Sequence, residues 1–188
     1  MAVSPSRYLV VCATGPEAAH VPAGMPVVVT GMGKTAAAAA TAEALATTDL
    51  DGLTVINIGT AGSLRPDVSG LYLPSTVLNH DLSAHLVRAL GFDPQETLWL
   101  PDGDGSVLAT GDLFVTETQT RDRLAERAHL VDMEGYAVAF ACQRKDVPVR
   151  LVKYVSDAAD ERSMDWPSLV DACAAELGRW LQALLDRN

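Results

Sequence analysis

Two short segments, Val131-Asp132-Met133-Glu134-Gly135 and Val155-Ser156-Asp157, decide how the fold of this chain is interpreted. Hydrophobic spacing around them predicts a buried strand, an apolar helix and a second strand, over residues 128–133, 136–145 and 147–155. A strand–helix–strand unit of this length favours two adjacent parallel strands joined by a right-handed crossover. We therefore expect Glu134 and Asp157 to follow the carboxyl ends of neighbouring strands, at the sheet edge where α/β proteins bind ligands.

The rest of the chain continues the alternation of strands and helices. Strands are predicted over residues 8–13, 25–30, 53–58 and 107–110, with an extended segment over 71–78. Helices are predicted over residues 35–45, 84–90 and 167–185, and residues 98–105 are expected to form a loop or hairpin tip. This order predicts one α/β domain over residues 1–188: three α/β/α layers around a central mixed, mostly parallel, twisted sheet.

Composition and charge exclude several classes of protein. The 188 residues carry a net charge of −10, which disfavours nucleic acid and anionic membranes as partners. The three cysteines, Cys12, Cys142 and Cys173, lie in apolar runs without a CxxC pair, so we interpret them as reduced core thiols. No signal-like amino terminus and no apolar run of about 18 residues is found, so a cytoplasmic protein is expected.

Two glycine-rich segments follow predicted strands. Gly33-Lys34-Thr35 ends like a phosphate-binding P-loop, but Val28 occupies the position of the required first glycine, which disfavours a P-loop NTPase. Gly31 and Gly33 could serve packing or binding equally well. Gly59-Thr60-Ala61-Gly62 is expected to be a turn whose backbone N–H groups can approach a ligand closely.

Three acids are expected at the same sheet edge: Glu17, Glu134 and Asp157. Singly, each has a bland explanation, because Glu17 could lie on the surface and the other two could stabilise helix starts. Jointly, their convergence with a glycine turn is typical of an active site, and it predicts a polar substrate and acid/base chemistry.

Six segments occur in the order found in one known family, and together they span nearly the whole chain. They are residues 12–17 (CATGPE), 30–37 (TGMGKTAA), 58–62 (IGTAG), 106–115 (SVLATGDLFV), 131–134 (VDME) and 155–160 (VSDAAD). The chain resembles the nucleoside phosphorylase/nucleosidase superfamily, and it is most similar to the methylthioadenosine/S-adenosylhomocysteine nucleosidases. The tandem acid motifs are the specific part of this resemblance.

The resemblance implies a role for each matching residue. Glu17 would activate the attacking water, which Thr60 would help to hold within the Thr60-Ala61-Gly62 turn. Glu134, with Met133 and the adjacent Asp132, would bind the ribose. At the purine, the resemblance implies that Phe114 stacks on the ring and that the backbone of Val115 contacts its edge. Asp157, positioned by Ser156, would protonate N7. No metal and no cofactor are implied.

The chemistry suits these residue types. Cleavage of an N-ribosidic bond develops positive charge on the sugar, which a carboxylate such as Glu134 stabilises. Adenine leaves poorly as an anion, so a protonated Asp157 would assist its departure. Phosphorylases of the superfamily carry an arginine where this chain has Asn57, so water is favoured as the nucleophile, although Arg65 could supply a phosphate contact.

Several departures keep alternatives open. Only eight residues separate Glu17 from Pro26, where the family has a hairpin that builds the pocket wall and subunit contacts, and Lys153 replaces the usual arginine before the Ser-Asp step. The resemblance implies a homodimeric purine nucleoside N-ribosyl hydrolase of methionine salvage, acting on methylthioadenosine/S-adenosylhomocysteine-like nucleosides. The alternatives are a purine nucleoside phosphorylase, a futalosine-type hydrolase and a noncatalytic nucleoside sensor. His80-Asp81 alone gives weak support to a metal-dependent phosphohydrolase.

Overall fold

The structure is a computed structural model that describes residues 7–161, 163 and 166–187. Its strands are β1 (Tyr8–Cys12), β2 (Val27–Val29), β3 (Thr54–Ser63), β4 (Leu71–Tyr72), β5 (Thr76–Asn79), β6 (Thr97–Trp99), β7 (Val107–Thr110), β8 (Leu130–Asp132) and β9 (Val149–Asp157). Its helices are α1 (Lys34–Thr47), α2 (Ala84–Ala89), α3 (Thr118–Ala125), α4 (Gly135–Gln143) and α5 (Trp166–Asp186), and a 3-10 turn spans Pro16–Ala18. Within these described residues, no helix is both long and apolar enough to span a bilayer.

The nine strands form one mixed sheet around the long strand β3. Along the main path the order is β2-β1-β3-β8-β7-β5-β6, while β9 pairs with β3 and β4 pairs with β9. The β1–β2, β1–β3, β3–β9, β5–β7 and β7–β8 pairs are parallel, and the other three pairs are antiparallel. The predicted α/β fold with a mixed, mostly parallel sheet is confirmed.

Two apolar layers cover the sheet. Successive residues of a strand face opposite sides, so Val55 of β3 packs in the cluster that includes α1 and α4, whereas Ile56 packs in the cluster that includes α5. Helical spacing in α5 predicts one apolar face that includes Leu169, Leu177 and Leu181. Leu177 and Leu181 are completely buried, but Leu169 remains 38% exposed. The sheet therefore lies between helices on both faces, and its strand ends are left to form the site.

The expected parallel pairing of the two acid-bearing strands is wrong. Strand β3 lies between β8 and β9, running antiparallel to β8 and parallel to β9. Gly62 of β3 pairs with Val131 on one side and with Asp157 on the other. A Cβ atom at Gly62 would lie only 3.2 Å from Asp157 Oδ1, so a side chain here would force its neighbours to shift. The acids meet because both strands end beside Gly62.

Three local predictions also differ from the structure. Strand β3 continues to Ser63, so residues 59–62 belong to a strand with a register shift after Ala61, and they do not form a turn. Residues 71–78 divide into β4 and β5, and strand β6 occupies the start of the predicted loop. Helix α3 was not predicted because it buries none of its residues and so has no apolar stripe.

Candidate active site

A cavity of about 420 Å³ opens where β3, β8 and β9 end, and this volume is typical of small-molecule sites. Every site residue predicted from the sequence lines it: Glu17, Thr60, Ala61, Gly62, Phe114, Val115, Asp132, Met133, Glu134, Ser156 and Asp157. The remaining lining residues are Ala13, Thr14, Met32, Leu113, Val131, Ala159, Ser163 and Trp166. The structure thus brings together residues that are as far apart in the chain as Ala13 and Trp166.

Glu17 is held rigidly in the wall of the cavity. It lies on the short 3-10 turn after β1, and only 4% of its surface is exposed. Its Oε1 accepts hydrogen bonds from Thr60 N (2.9 Å) and Thr60 Oγ1 (3.2 Å), and its Oε2 accepts from Thr14 N and Thr14 Oγ1 (both 3.1 Å). These four donors fix the plane of the carboxylate, which suits a group that must orient a reactant.

Asp132, Glu134 and Lys153, together with Glu17, form a buried set that we call the carboxylate–lysine cluster. Lys153 Nζ lies 2.9 Å from Asp132 Oδ2, and the two side chains are 2% and 1% exposed. Asp132 also accepts hydrogen bonds from Thr110 Oγ1 (2.5 Å) and from the backbone N–H of Gly135 (2.8 Å). The Asp132 carboxylate is therefore fully engaged within the protein, although the residue lines the cavity.

Burial and the charge of Asp132 act in the same direction on the pKa of Glu134 but in opposite directions on the pKa of Lys153. Burial, followed by the charge of Asp132, raises the pKa of Glu134 to about 7. For Lys153, burial acts to lower the pKa, but the charges of Asp132 and Glu134 outweigh it and raise the pKa above its ordinary value. Near neutral pH, Glu134 is therefore balanced between carboxylate and acid beside a permanently charged ammonium.

Asp157 is held by neutral donors. Ser156 Oγ and Ser163 Oγ each lie 2.6 Å from one of its oxygens, and the backbone N–H of Ala159 donates to Oδ1 at 2.9 Å. We call these four residues the Asp157 turn. A serine hydroxyl can donate to a carboxylate or accept from a carboxylic acid, so the contact with Ser156 suits both forms of an acid that gives up a proton.

The turn at Gly31 and Gly33 serves the site through its backbone. Both glycines have positive φ angles, of 86° and 92°, which side chains disfavour. In this conformation the N–H of Gly33 donates to Glu134 Oε1 at 2.8 Å. The ammonium of Lys34 contacts Asn79 and Asp81 outside the cavity.

Neither Asn57 nor Arg65, the two positions considered for phosphate binding, lines this cavity. Asn57 is buried and donates to Val11 O at 3.0 Å. Arg65 donates twice to Ala125 O, at 3.1 and 2.9 Å, and it lines a second cavity of about 600 Å³ and not the first. The phosphate contact that the sequence left open for Arg65 therefore has no support in the cavity lined by the three acids. Asp81 accepts from Lys34 and from the Asp112 N–H, so its pairing within the protein explains the His80-Asp81 step.

Four functional candidates were missed from the sequence. Thr14 binds Glu17 from three residues away, a spacing that could have identified it. Lys153 was noted only as a departure, yet its ammonium compensates two acids. Ser163 contacts Asp157 in the site, and Trp166 contacts Thr60, which lies 106 positions away in the sequence. No local pattern marks such a distant contact.

Comparisons with known proteins show what the chain is similar to. A family model described as the phosphorylase superfamily matches residues 21–96 and 105–187. The chain is 28% identical over 157 residues to an aminodeoxyfutalosine nucleosidase of Helicobacter pylori, covering 70% of this chain and 68% of that protein. It is 29% identical over 171 residues to a 5′-methylthioadenosine/S-adenosylhomocysteine nucleosidase of Shewanella pealeana, covering 75% and 72%.

The fold is also similar to solved structures. A futalosine hydrolase of Helicobacter pylori superposes with a TM-score of 0.82 and 22% identity, covering 96% of this chain and 97% of that chain. A 5′-methylthioadenosine/S-adenosylhomocysteine nucleosidase of Streptococcus pneumoniae superposes with a TM-score of 0.79 and 19% identity, covering 95% and 97%. The whole architecture is therefore shared, despite low sequence identity.

Proposed function

The chain belongs to the phosphorylase superfamily, and from this premise we propose that it is a purine nucleoside N-ribosyl hydrolase. One observation carries the proposal: Glu17, Glu134 and Asp157 line a single cavity whose volume suits a nucleoside. The named nucleosidases among its relatives support the same reaction. The substrates we propose are 5′-methylthioadenosine and S-adenosylhomocysteine-like nucleosides.

In the proposed mechanism, the acids act at different places along the substrate. Glu17 orients the attacking water and takes its proton, and its four fixed hydrogen bonds support this role. Glu134 accepts hydrogen bonds from the ribose hydroxyls and stabilises the positive charge that develops on the sugar. Asp157 donates a proton to N7, so that the purine leaves as a neutral base.

The side chains around the base and sugar complete the proposed site. Phe114 stacks on the purine and the backbone of Val115 meets its edge, while Met133 packs against the ribose. Thr60 helps Glu17 to hold the water, and the small residues Ala61 and Gly62 leave room for the nucleoside. Ser156 positions Asp157, to which its hydroxyl is hydrogen-bonded at 2.6 Å.

Water is favoured over phosphate by the charge of the cavity. Among the described lining residues there are four carboxylates, Glu17, Asp132, Glu134 and Asp157, and no basic side chain. The nearby ammonium of Lys153 is already paired with Asp132. A phosphate anion would therefore meet repulsion without a free partner.

The experiment is a product assay on the purified chain. Methylthioadenosine, S-adenosylhomocysteine, adenosine, inosine and a futalosine-type nucleoside are incubated with and without phosphate, and free base and sugar products are separated by chromatography. We expect adenine release from methylthioadenosine without any need for phosphate. A phosphorylated sugar product would indicate a phosphorylase, and tight binding without base release would indicate a sensor.

A futalosine-type nucleoside is the second candidate substrate. Its support is the similarity to the aminodeoxyfutalosine nucleosidase of Helicobacter pylori, over 70% of this chain. The same assay separates the two candidates, because the ratio of their kcat/KM values measures which nucleoside the site prefers. A higher value for the futalosine-type nucleoside would reverse the order proposed above.

Glu17→Gln tests the assignment of the water-activating base. The variant keeps the size of the side chain but cannot accept a proton, so we expect nucleoside binding to persist while kcat falls about 10²- to 10⁴-fold. Binding is measured by calorimetry and turnover by base release. Glu43→Gln, at an exposed position of α1, is the control. Unchanged turnover by Glu17→Gln would move the water site elsewhere.

We further propose that the protein is a cytoplasmic homodimer that acts in methionine salvage. Three large apolar side chains at the cavity rim support a subunit contact, because Met32, Leu113 and Phe114 are 56%, 55% and 45% exposed. The buried free thiols suit a reducing compartment. Sedimentation equilibrium tests the dimer: a monomer mass at micromolar concentration would contradict it.

A further inference from the structure

Among the described residues, Trp166 is the one aromatic hydrogen-bond donor that contacts Thr60, which in turn donates to Glu17. It is the first residue of α5 and lines the cavity, and its indole Nε1 lies 2.8 Å from Thr60 Oγ1. An indole N–H can only donate, so Thr60 Oγ1 must be the acceptor in this contact. The direction of the hydrogen bond is therefore fixed by chemistry alone.

This hydrogen bond affects the direction in which the single hydrogen of the Thr60 hydroxyl points. Because Oγ1 already accepts from Trp166, its O–H is free to point at Glu17 Oε1, which lies 3.2 Å away. Without the indole, this hydroxyl could rotate and donate elsewhere. We propose that Trp166 is a positioning residue, which holds the Thr60 hydroxyl as a donor to Glu17 and so keeps Glu17 oriented for water activation. This inference rests on the function proposed above.

A second contact ties the same helix to the turn that carries Glu17. His20 Nε2 lies 2.9 Å from Asp171 Oδ1, and the backbone of His20 packs so closely on Gly178 that a Cβ atom there would lie 2.3 Å from His20 O. Asp171 and Gly178 of helix α5 therefore contact the segment after Glu17, while Trp166 of the same helix contacts Thr60. The two contacts together hold both partners of the Glu17–Thr60 pair.

A double-mutant cycle tests this role. Trp166→Phe keeps an aromatic ring against the nucleoside but removes the N–H, so we expect kcat to fall about 2- to 10-fold with little change in KM. Thr60→Val removes the hydroxyl through which Trp166 acts. In the Thr60→Val background, Trp166→Phe should therefore cause no further loss of kcat. Trp180→Phe, at a partly buried position of the same helix that packs against the apolar core, is the matched control.

The outcomes separate this inference from the proposed function. If the wild type releases no base from any nucleoside, the proposed function fails. If the wild type is active but Trp166→Phe lowers kcat equally in both backgrounds, or raises KM alone, the positioning role is overturned.

An NMR measurement tests the contact independently of turnover. Trp166→Phe identifies the Trp166 indole N–H resonance by its disappearance. In Thr60→Val that resonance should shift and exchange faster with solvent, because its acceptor is gone. Trp99→Phe and Trp180→Phe assign the other two indole resonances of the chain, so the Trp166 resonance is identified even if Trp166→Phe fails to fold. An unchanged Trp166 resonance in Thr60→Val would overturn the inference.

Discussion

The two acidic ends of the cavity are stabilised in different ways. In the carboxylate–lysine cluster, the buried ammonium of Lys153 compensates the buried carboxylate of Asp132. Beside this pair, the pKa of Glu134 is raised to about 7. In the Asp157 turn, one acid is compensated by two hydroxyls and a backbone N–H. Removing one ion of a buried pair costs about 3–5 kcal/mol because its partner is left unpaired, whereas removing one neutral donor costs about 1–3 kcal/mol. Loss of either partner of the Lys153–Asp132 ion pair should therefore act mainly on folding, whereas substitutions in the Asp157 turn should act mainly on chemistry.

Asp157→Asn should give the largest effect. The amide cannot carry the proton to the base, so we expect kcat for base release to fall about 10²- to 10⁴-fold. The side chain keeps its shape and its contacts are neutral, so thermal unfolding should change little. Steady-state base release and a melting curve measure the two quantities.

Asp122→Asn is the control for this variant. Asp122 is 62% exposed and pairs with Arg121 beside the second cavity, so the same chemical change there should leave both quantities unaltered. Retained turnover by Asp157→Asn would remove the assigned acid. A large loss of stability would contradict the contrast between the two ends.

Lys153→Met should act in the opposite way, on folding first. It leaves Asp132 buried without its cation, which costs about 3–5 kcal/mol of unfolding free energy. Chemical denaturation measures this loss, and Lys145→Met, at an exposed position, should show none. Adding Asp132→Asn to Lys153→Met removes the orphaned charge, so the double variant should be more stable than the single one. Equal denaturation midpoints for wild type and Lys153→Met would refute the role of the ion pair.

The pH dependence of stability sharpens the comparison. Burial raises the pKa of Glu134 from 4.5 to about 7, so the native state holds this proton more tightly than the unfolded chain does. The resulting stability is fully present below about pH 4.5 and is lost as pH rises through about 7, a change on the order of 3 kcal/mol.

Glu134→Gln cannot lose a proton, so its unfolding free energy should fall less steeply between about pH 5 and pH 8. Denaturation curves at several pH values measure the slope. Glu126→Gln, at an exposed position, should keep the wild-type slope. Parallel slopes for wild type and Glu134→Gln would show that Glu134 does not titrate in this range.

The sequence could predict those parts of the site that are local in the chain. Glu134 and Glu17 follow apolar strands and Asp157 ends another, so the sequence grouped three acids that do line one cavity, although the parallel pairing given as the reason is wrong. Their partners could not be predicted in this way. Lys153 lies within β9 and meets Asp132 of β8 across β3, a contact that depends on the antiparallel course of β8.

The fold shows the same limit. Alternating apolar segments predicted most strands and helices, but the glycines of residues 59–62 indicated a turn where β3 in fact continues. The small residues there are needed because β8, β9 and Asp157 crowd around Gly62. Tertiary packing, which the sequence pattern does not contain, decides that segment.

The smallest effect is expected from Ser163→Ala, which removes one neutral donor from Asp157. Ser163 is completely buried and its hydroxyl lies 2.6 Å from Asp157 Oδ1, while Ser156 and the Ala159 N–H remain in place. We expect kcat to fall about 2- to 10-fold and the unfolding free energy to fall by about 1 kcal/mol. Ser69→Ala, at an exposed position, should change neither value. A fall in kcat as large as that of Asp157→Asn would mean that Ser156 and the Ala159 N–H cannot hold Asp157 without Ser163, which would contradict a turn stabilised by several neutral donors.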